Sequence, residues 1–224
     1  MKTICTMARK GGSGKTTVAV ALALTWQRSG KRVLLLDSDP QRSSWAYLHS
    51  RTQPGLDVRT TVSGKLFTTK AAAEREGYDI LVVDTPAHPE ADVSVALTIS
   101  DYVLVVARPT FLDLAAAAQA IGHLNQIDRP GAIVLNQAPP QRFGEDAPQV
   151  RKAKKALQAT HLPLIGVLCA RRVYQEGLEK GTFASGWGIG SCPQEFERLF
   201  ALVNSKIGLR PVLPAADSMA FVSP

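Results

Sequence analysis

Residues 10–17 read Lys10-Gly11-Gly12-Ser13-Gly14-Lys15-Thr16-Thr17. Glycines let a backbone wrap close to phosphate groups, and successive amide N–H groups can then turn inward as a nest for anions. The segment sits between a short apolar run and a helical pattern, so a helix N-terminus adds favourable partial positive charge. In such a loop Lys15 is expected to reach the β- and γ-phosphates, and the Thr16 hydroxyl to ligate Mg2+. A plain Gly/Ser turn would account for neither the two lysines nor the hydroxyls.

Carboxylates stand at the ends of two further apolar runs. Val33-Leu34-Leu35-Leu36 leads into Asp37-Ser38-Asp39-Pro40-Gln41, and Ile80-Leu81-Val82-Val83 leads into Asp84-Thr85-Pro86. An acidic residue leaving the carboxyl end of a buried strand is where open α/β sheets bind ligands. For Asp37 capping and structural hydrogen bonding are the simpler role. His49, His123 and His161 show no metal-ligand spacing.

The elements that would position these groups are legible as alternation. Nearly continuous Val, Ile and Leu runs fall at residues 3–8, 33–37, 80–84, 102–107, 132–136 and 164–168. Strands buried on both faces read this way, which predicts a parallel sheet covered by helices. Helical patterns are expected over 15–28, 112–126, 147–160 and 194–206. The fold class predicted is α/β: a single-domain, mostly parallel, twisted sheet flanked by helices, with right-handed crossovers. Residues 51–69 read as loop with at most a short strand, and 139–148 as loop. Residues 1–207 are expected to form the domain and 208–224, rich in Pro, Ala and Ser, a loosely ordered tail.

Composition agrees with a globular chain. Of 224 residues, 45% are hydrophobic and 20% charged, which supports a core and argues against disorder. The net charge of +7 favours polyanionic partners or a merely soluble surface. Cys5, Cys169 and Cys192 are odd in number and widely spaced, so neither a disulfide framework nor a zinc site is expected, and a reducing cytoplasm is the natural setting. No run is long enough to span a bilayer, and the apolar start is too short for a secretory signal.

The ordinary phosphate-loop pattern wants glycine where Arg9 stands. KGGxGKT with the additional Lys10 instead resembles the deviant Walker A loop of the ParA/MinD family of P-loop ATPases, which share this α/β fold. DSDPQ resembles that family's second motif, and ILVVDTP its Walker B strand. The resemblance implies ATP and Mg2+ as ligands. It assigns nucleotide contacts to Lys10, Gly11, Gly12, Ser13, Gly14, Lys15, Thr16 and Thr17. It implies Mg2+ contacts by Thr16, Asp39 and Asp84, with Asp39 also holding the attacking water. Lys10, Lys15 and Asp39 would be the catalytic set, with Lys10 acting across an ATP-bridged homodimer. Asn136 matches the position that reads adenine; a capping role is the alternative. The family carries Pro-Pro or Pro-Gly after Asp-Thr-type motifs, whereas Ala87-His88 follows here, and His88 reads as a polar residue on a switch-like loop. The match extends to about residue 207, weakly so in its last part.

Family members grip DNA or membrane. The last residues, 209–224, contain one arginine and several prolines, and do not make a basic amphipathic helix. Non-specific DNA is the better expectation, through Arg171, Arg172 and Lys180, with residues 151–155 as an added patch or a solvated helix face. With the phosphate loop at residue 10, no N-terminal helix-turn-helix module is expected. The function implied is segregation or positioning of a plasmid, chromosome or protein cargo by slow ATP hydrolysis. A small ParB-like partner or cargo adaptor would stimulate it, at the nucleoid in the cytoplasm. The alternatives are a MinD-like membrane-associated ATPase and an ATP-dependent metabolic ligase on the same fold.

Overall fold

A computed structural model describes residues 1–50, 54–87, 90–174 and 194–209. Seven strands alternate with helices: β1 (Lys2–Met7), α1 (Lys15–Arg28), β2 (Val33–Asp37), α2 (Ser43–Leu48), β3 (Leu56–Thr60), α3 (Leu66–Arg75), β4 (Ile80–Asp84), α4 (Glu90–Ile99), β5 (Tyr102–Ala107), α5 (Phe111–Gln126), β6 (Gly131–Ala138), α6 (Pro148–Leu157), β7 (Leu164–Cys169) and α7 (Gln194–Lys206). They form one sheet in the order β3-β2-β4-β1-β5-β6-β7, parallel at every pairing. The chain builds outward from β1 in one direction and then in the other. The loop after β1 therefore lies at a topological switch point, where such sheets leave a crevice.

The unbroken apolar runs follow from this layering. Alternate strand residues point to opposite faces. Ile4, Leu35, Val82, Leu104 and Val134 join α1 and α7 in one core, while Cys5, Leu34, Leu81, Val103 and Ile133 join α3, α4, α5 and α6 in the other. Every strand position in the middle of the sheet is thus covered, and polarity has nowhere to alternate. Burial, with the nearby Asp84 charge, pushes the Cys5 thiol well up, so it acts as a small core residue rather than a reactive one.

The expected loop at 51–69 is corrected. It contains β3, a 3-10 turn at Ser63–Lys65 and the first turns of α3. β3 is an edge strand with only Leu56 buried, and α3 buries only Leu66 and Ala73. β3 is the short strand allowed for there, whereas α3 carries too little apolar periodicity to be read as a helix. Helices α2 and α4 were likewise not anticipated, the first because it is only six residues long. α7 ends at Lys206, and of the tail expected over 208–224 residues 210–224 lie outside the described residues.

Helix α1, which carries the phosphate loop, is buried along most of its length, from Val18 to Leu24 and again at Trp26. Trp26 packs against Phe200 of α7 with ring centroids 5.7 Å apart. Its indole N–H donates to Asn204 Oδ1 at 2.7 Å, and both side chains are buried. The last helix thereby fixes the first. Asn204→Ala leaves a buried indole N–H without an acceptor and is expected to lower unfolding free energy by about 1–3 kcal/mol, read from urea denaturation.

Candidate nucleotide site

Three strand ends meet in register. Asp84 pairs with Asp37 of β2 on one side and Thr6 of β1 on the other. Short bonds lock the edge: the Thr85 hydroxyl donates to the Thr6 carbonyl at 2.9 Å, and the Ser38 N–H and hydroxyl both donate to the Asp84 carbonyl, at 3.0 and 2.9 Å. Asp37 accepts from the Asp39 N–H at 3.1 Å with one oxygen and from the Trp45 N–H at 2.9 Å with the other. It therefore organises the DSD turn and the first turn of α2. Asp39 is more exposed, and one of its oxygens accepts from the Gln41 N–H at 2.9 Å.

Asp84 is fully buried, and its Oδ2 completes no hydrogen bond. Burial raises its pKa to about 7; the nearby Thr16 hydroxyl and Lys15 charge favour the carboxylate, while Asp37 opposes it. Ser13 Oγ and Ser44 Oγ are also buried without a partner. An orphaned carboxylate oxygen beside the hydroxyl of Thr16 is a hard-oxygen set of the kind that suits hydrated Mg2+, and these residues fit that ion.

The loop from Ala8 to Gly14 climbs from β1 to α1. Gly12 and Gly14 adopt φ of +73° and +90°, conformations that side chains resist. Gly14 is also the N-cap of α1, with no side-chain cap and no acidic residue in the first turn. The opening N–H groups of the helix are thus left to a ligand, and the nearly buried Lys15 begins the helix beside them. The loop is held from the far side as well. Asn136 Nδ2 donates to the Ser13 carbonyl and Gln137 Nε2 to the Gly12 carbonyl, each at 2.8 Å. A Cβ on Gly14 would fall 2.0 Å from Asn136 Nδ2, so this position has room for glycine only.

Lys10 leaves the loop on another path. Its Nζ lies 3.6 Å from Asp113 Oδ2; the lysine side chain is 38% exposed and the aspartate 1%. Asp113 is already held by Arg108 Nε and Nη2, at 2.9 and 3.2 Å, and by the Thr110 hydroxyl at 2.7 Å. Burial tends to raise the Asp113 carboxyl, but those bonds and the charges of Arg108 and Lys10 outweigh it and hold it below its usual range.

Two of the expected DNA-contact residues, Arg171 and Arg172, follow β7, the strand at the lateral margin of the sheet. Arg171, just past β7, pairs bidentately with Glu195 of α7 at 2.6 and 3.2 Å. Arg172 begins helical backbone that is described as far as Tyr174. Lys180 and His88 lie outside the described residues.

A family model, the CobQ/CobB/MinD/ParA nucleotide binding domain, matches residues 4–182, and the chain belongs to that family. Among curated relatives, the maintenance of carboxysome distribution protein A of Gloeobacter kilaueensis is 29% identical over 72% of this chain and 73% of its own length. The chromosome-partitioning ATPase Soj of Thermus thermophilus is 26% identical over 53% and 59%, so the match spans well under two thirds of that relative. Solved structures share the fold. A putative plasmid partition protein from Borrelia burgdorferi bound to AMPPNP superposes with a TM-score of 0.73, at 17% identity over 92% of this chain and 99% of that one. The MinC:MinD complex of Aquifex aeolicus gives 0.75, at 20% identity over 95% and 98%.

Sequence reading placed the glycine loop, Asp39, Asp84 and Asn136 together at this edge. It missed Gln137, Arg108, Thr110 and Asp113. Thr110-x-x-Asp113 before an apolar run carries a capping-box signal, and Thr110 does cap α5. That signal announces a helix start, with nothing in it to point at Lys10.

The Asp84 shift fixes a sign. The folded pKa lies above the unfolded value of 3.8, so the charged form penalises folding above about pH 7, and the penalty fades as pH falls towards 4. Asp84→Asn is expected to stabilise the metal-free protein at pH 8, on the order of a few kcal/mol, with the gain vanishing near pH 4. Chemical denaturation across that range, in EDTA, measures it.

Proposed function

We propose that this chain binds MgATP in the phosphate loop and hydrolyses it slowly, that two copies close on the bound nucleotide, and that the closed pair rides on DNA to segregate or position a cargo. The observation that carries the reading is the uncapped, positive-φ glycine loop beside a buried Asp84 carboxylate that has one oxygen without a partner. In this reading residues 1–207 are the ATPase domain and 208–224 a tail. The relatives' names, a chromosome-partitioning ATPase and a carboxysome distribution protein, support positioning as the task.

Phosphoryl transfer needs placement and charge neutralisation more than covalent help. Bound Mg2+ supplies neutralisation of the phosphate oxygens, with Thr16, Asp84 and Asp39 as the residues that hold its shell. Lys15 and the first N–H groups of α1 bind the β- and γ-phosphates. Asp39, free of the sheet and braced by its turn with Gln41, orients the attacking water. Asn136 contacts adenine with the part of its amide not given to Ser13.

Lys10 reaches the other copy. Its tie to Asp113 is long and half-exposed, a kind of pair worth about 0–1 kcal/mol. Breaking it strands no charge, because Arg108 and Thr110 still satisfy Asp113. Triphosphate between two such basic loops offsets their mutual repulsion, so ATP favours the pair and hydrolysis releases it. A small partner protein, ParB-like or a cargo adaptor, accelerates that step. Lys10→Ala is expected to stay monomeric in gel filtration with a slowly hydrolysed ATP analogue, while the wild type shifts to a dimer. Equal dimerisation of both would remove the trans role.

DNA is the surface the reading favours, at the nucleoid in the cytoplasm. The net charge is +7, and Lys152 and Lys155 of α6 are exposed, while Arg151 and Lys154 are partly engaged by Glu145 and Asp146. Arg172 and Lys180 join them, with Arg171 contributing after release from Glu195. Among the described residues no helix is long and apolar enough to cross a membrane. DNA retention in filter binding is expected only with ATP or its analogue, without sequence preference, and weaker by more than about tenfold between 50 and 200 mM salt. Flotation with anionic liposomes in place of DNA retention would favour the membrane alternative.

A further inference from the structure

In a trans peptide the carbonyl and the following N–H point in opposite directions. Holding the carbonyl oxygens of Gly12 and Ser13 therefore sets where the N–H groups of Ser13 and Gly14 point. Gln137 Nε2 holds the first and Asn136 Nδ2 the second. Both grips come from β6, which lies beyond β5 on one side of β1, whereas Asp84 comes from β4 on the other. The carbonyls are drawn towards β6, and the N–H groups face the side of Asp84.

Two neighbouring strand residues do not ordinarily reach the same target, because their side chains alternate across the sheet. Here the β6–β7 register slips between Leu135 and Ala138, and Gln137 takes φ of +52°. Irregularities of this sort re-aim side chains, and this one turns both amides onto the loop. The peptides they hold adjoin Gly12 and Gly14, the residues for which a change of φ and ψ is easiest. The grip is applied where the loop is most prone to flip.

The geometry points to Gln137, acting with Asn136, as a positioning residue that presets the phosphate loop's N–H groups for a polyphosphate before the ligand arrives. The inference rests on the nucleotide-binding reading of the loop and is independent of dimerisation and of DNA. Gln137 serves as the test position because its side chain is exposed, whereas Asn136 is buried under Gly14.

The experiment compares wild type, Gln137→Met and Gln137→Glu, full length, in competition binding of MgADP and MgGDP against a fluorescent MgADP. Methionine keeps the length and removes the donor. It is expected to weaken both nucleotides by the same factor, about three- to tenfold, the yield of one lost hydrogen bond. Glutamate accepts but does not donate and adds negative charge beside the phosphates, so its loss is larger. Melting temperatures of both variants stay at the wild-type value. Wild-type affinity in Gln137→Met overturns the proposal, as does a loss confined to MgADP, which would place Gln137 on the base. Failure of the wild type to bind either nucleotide overturns the nucleotide reading together with this inference.

Discussion

The site depends on a carboxylate kept where water cannot reach it. Asp84 ends a central strand, flanked by β1 and β2, and burial lifts its pKa to about 7. A buried ionised carboxylate is unfavourable unless paired, and in this chain one oxygen has no partner. A divalent cation resolves that imbalance better than any side chain nearby, since Lys15 and Thr16 only partly offset the burial. In the proposed reading, the free energy that burial withholds from folding is returned when a cation meets that oxygen.

Around that carboxylate the phosphate loop is secured at three places of differing strength. At its base it continues a central strand. Along its middle it is tied by two amides from β6. At its start Lys10 touches Asp113 at 3.6 Å, the weakest tie of the set. The gradation matches what the parts have to do. The peptides proposed to receive phosphate are held firmly, and the lysine proposed to reach the second copy is held loosely.

The glycine loop and the acid-tipped strands were legible because each is a contiguous stretch whose residue types have few other uses. The central strands were legible because burial on both faces leaves continuous Val, Ile and Leu. α2 and α3 were not, and β3 only as a short strand allowed within a loop, since they lie at the margin and bury too little to impose a period. The tethers of the loop were hidden for a different reason. Gln137 and Asp113 act through contacts more than a hundred residues away in sequence, and locally they look like a strand end and a helix cap. The slip in register that turns Gln137 onto the loop arises from the pairing of β6 with β7, which no local pattern encodes.

The junction of Trp26 with Phe200 and Asn204 joins α1 to α7, with Trp26 and Asn204 178 positions apart. The apolar side of α1 that α7 covers stays open until residues 194–206 have been made and have folded back onto it. Non-local closure of this kind is slow and leaves hydrophobic surface bare in the interim.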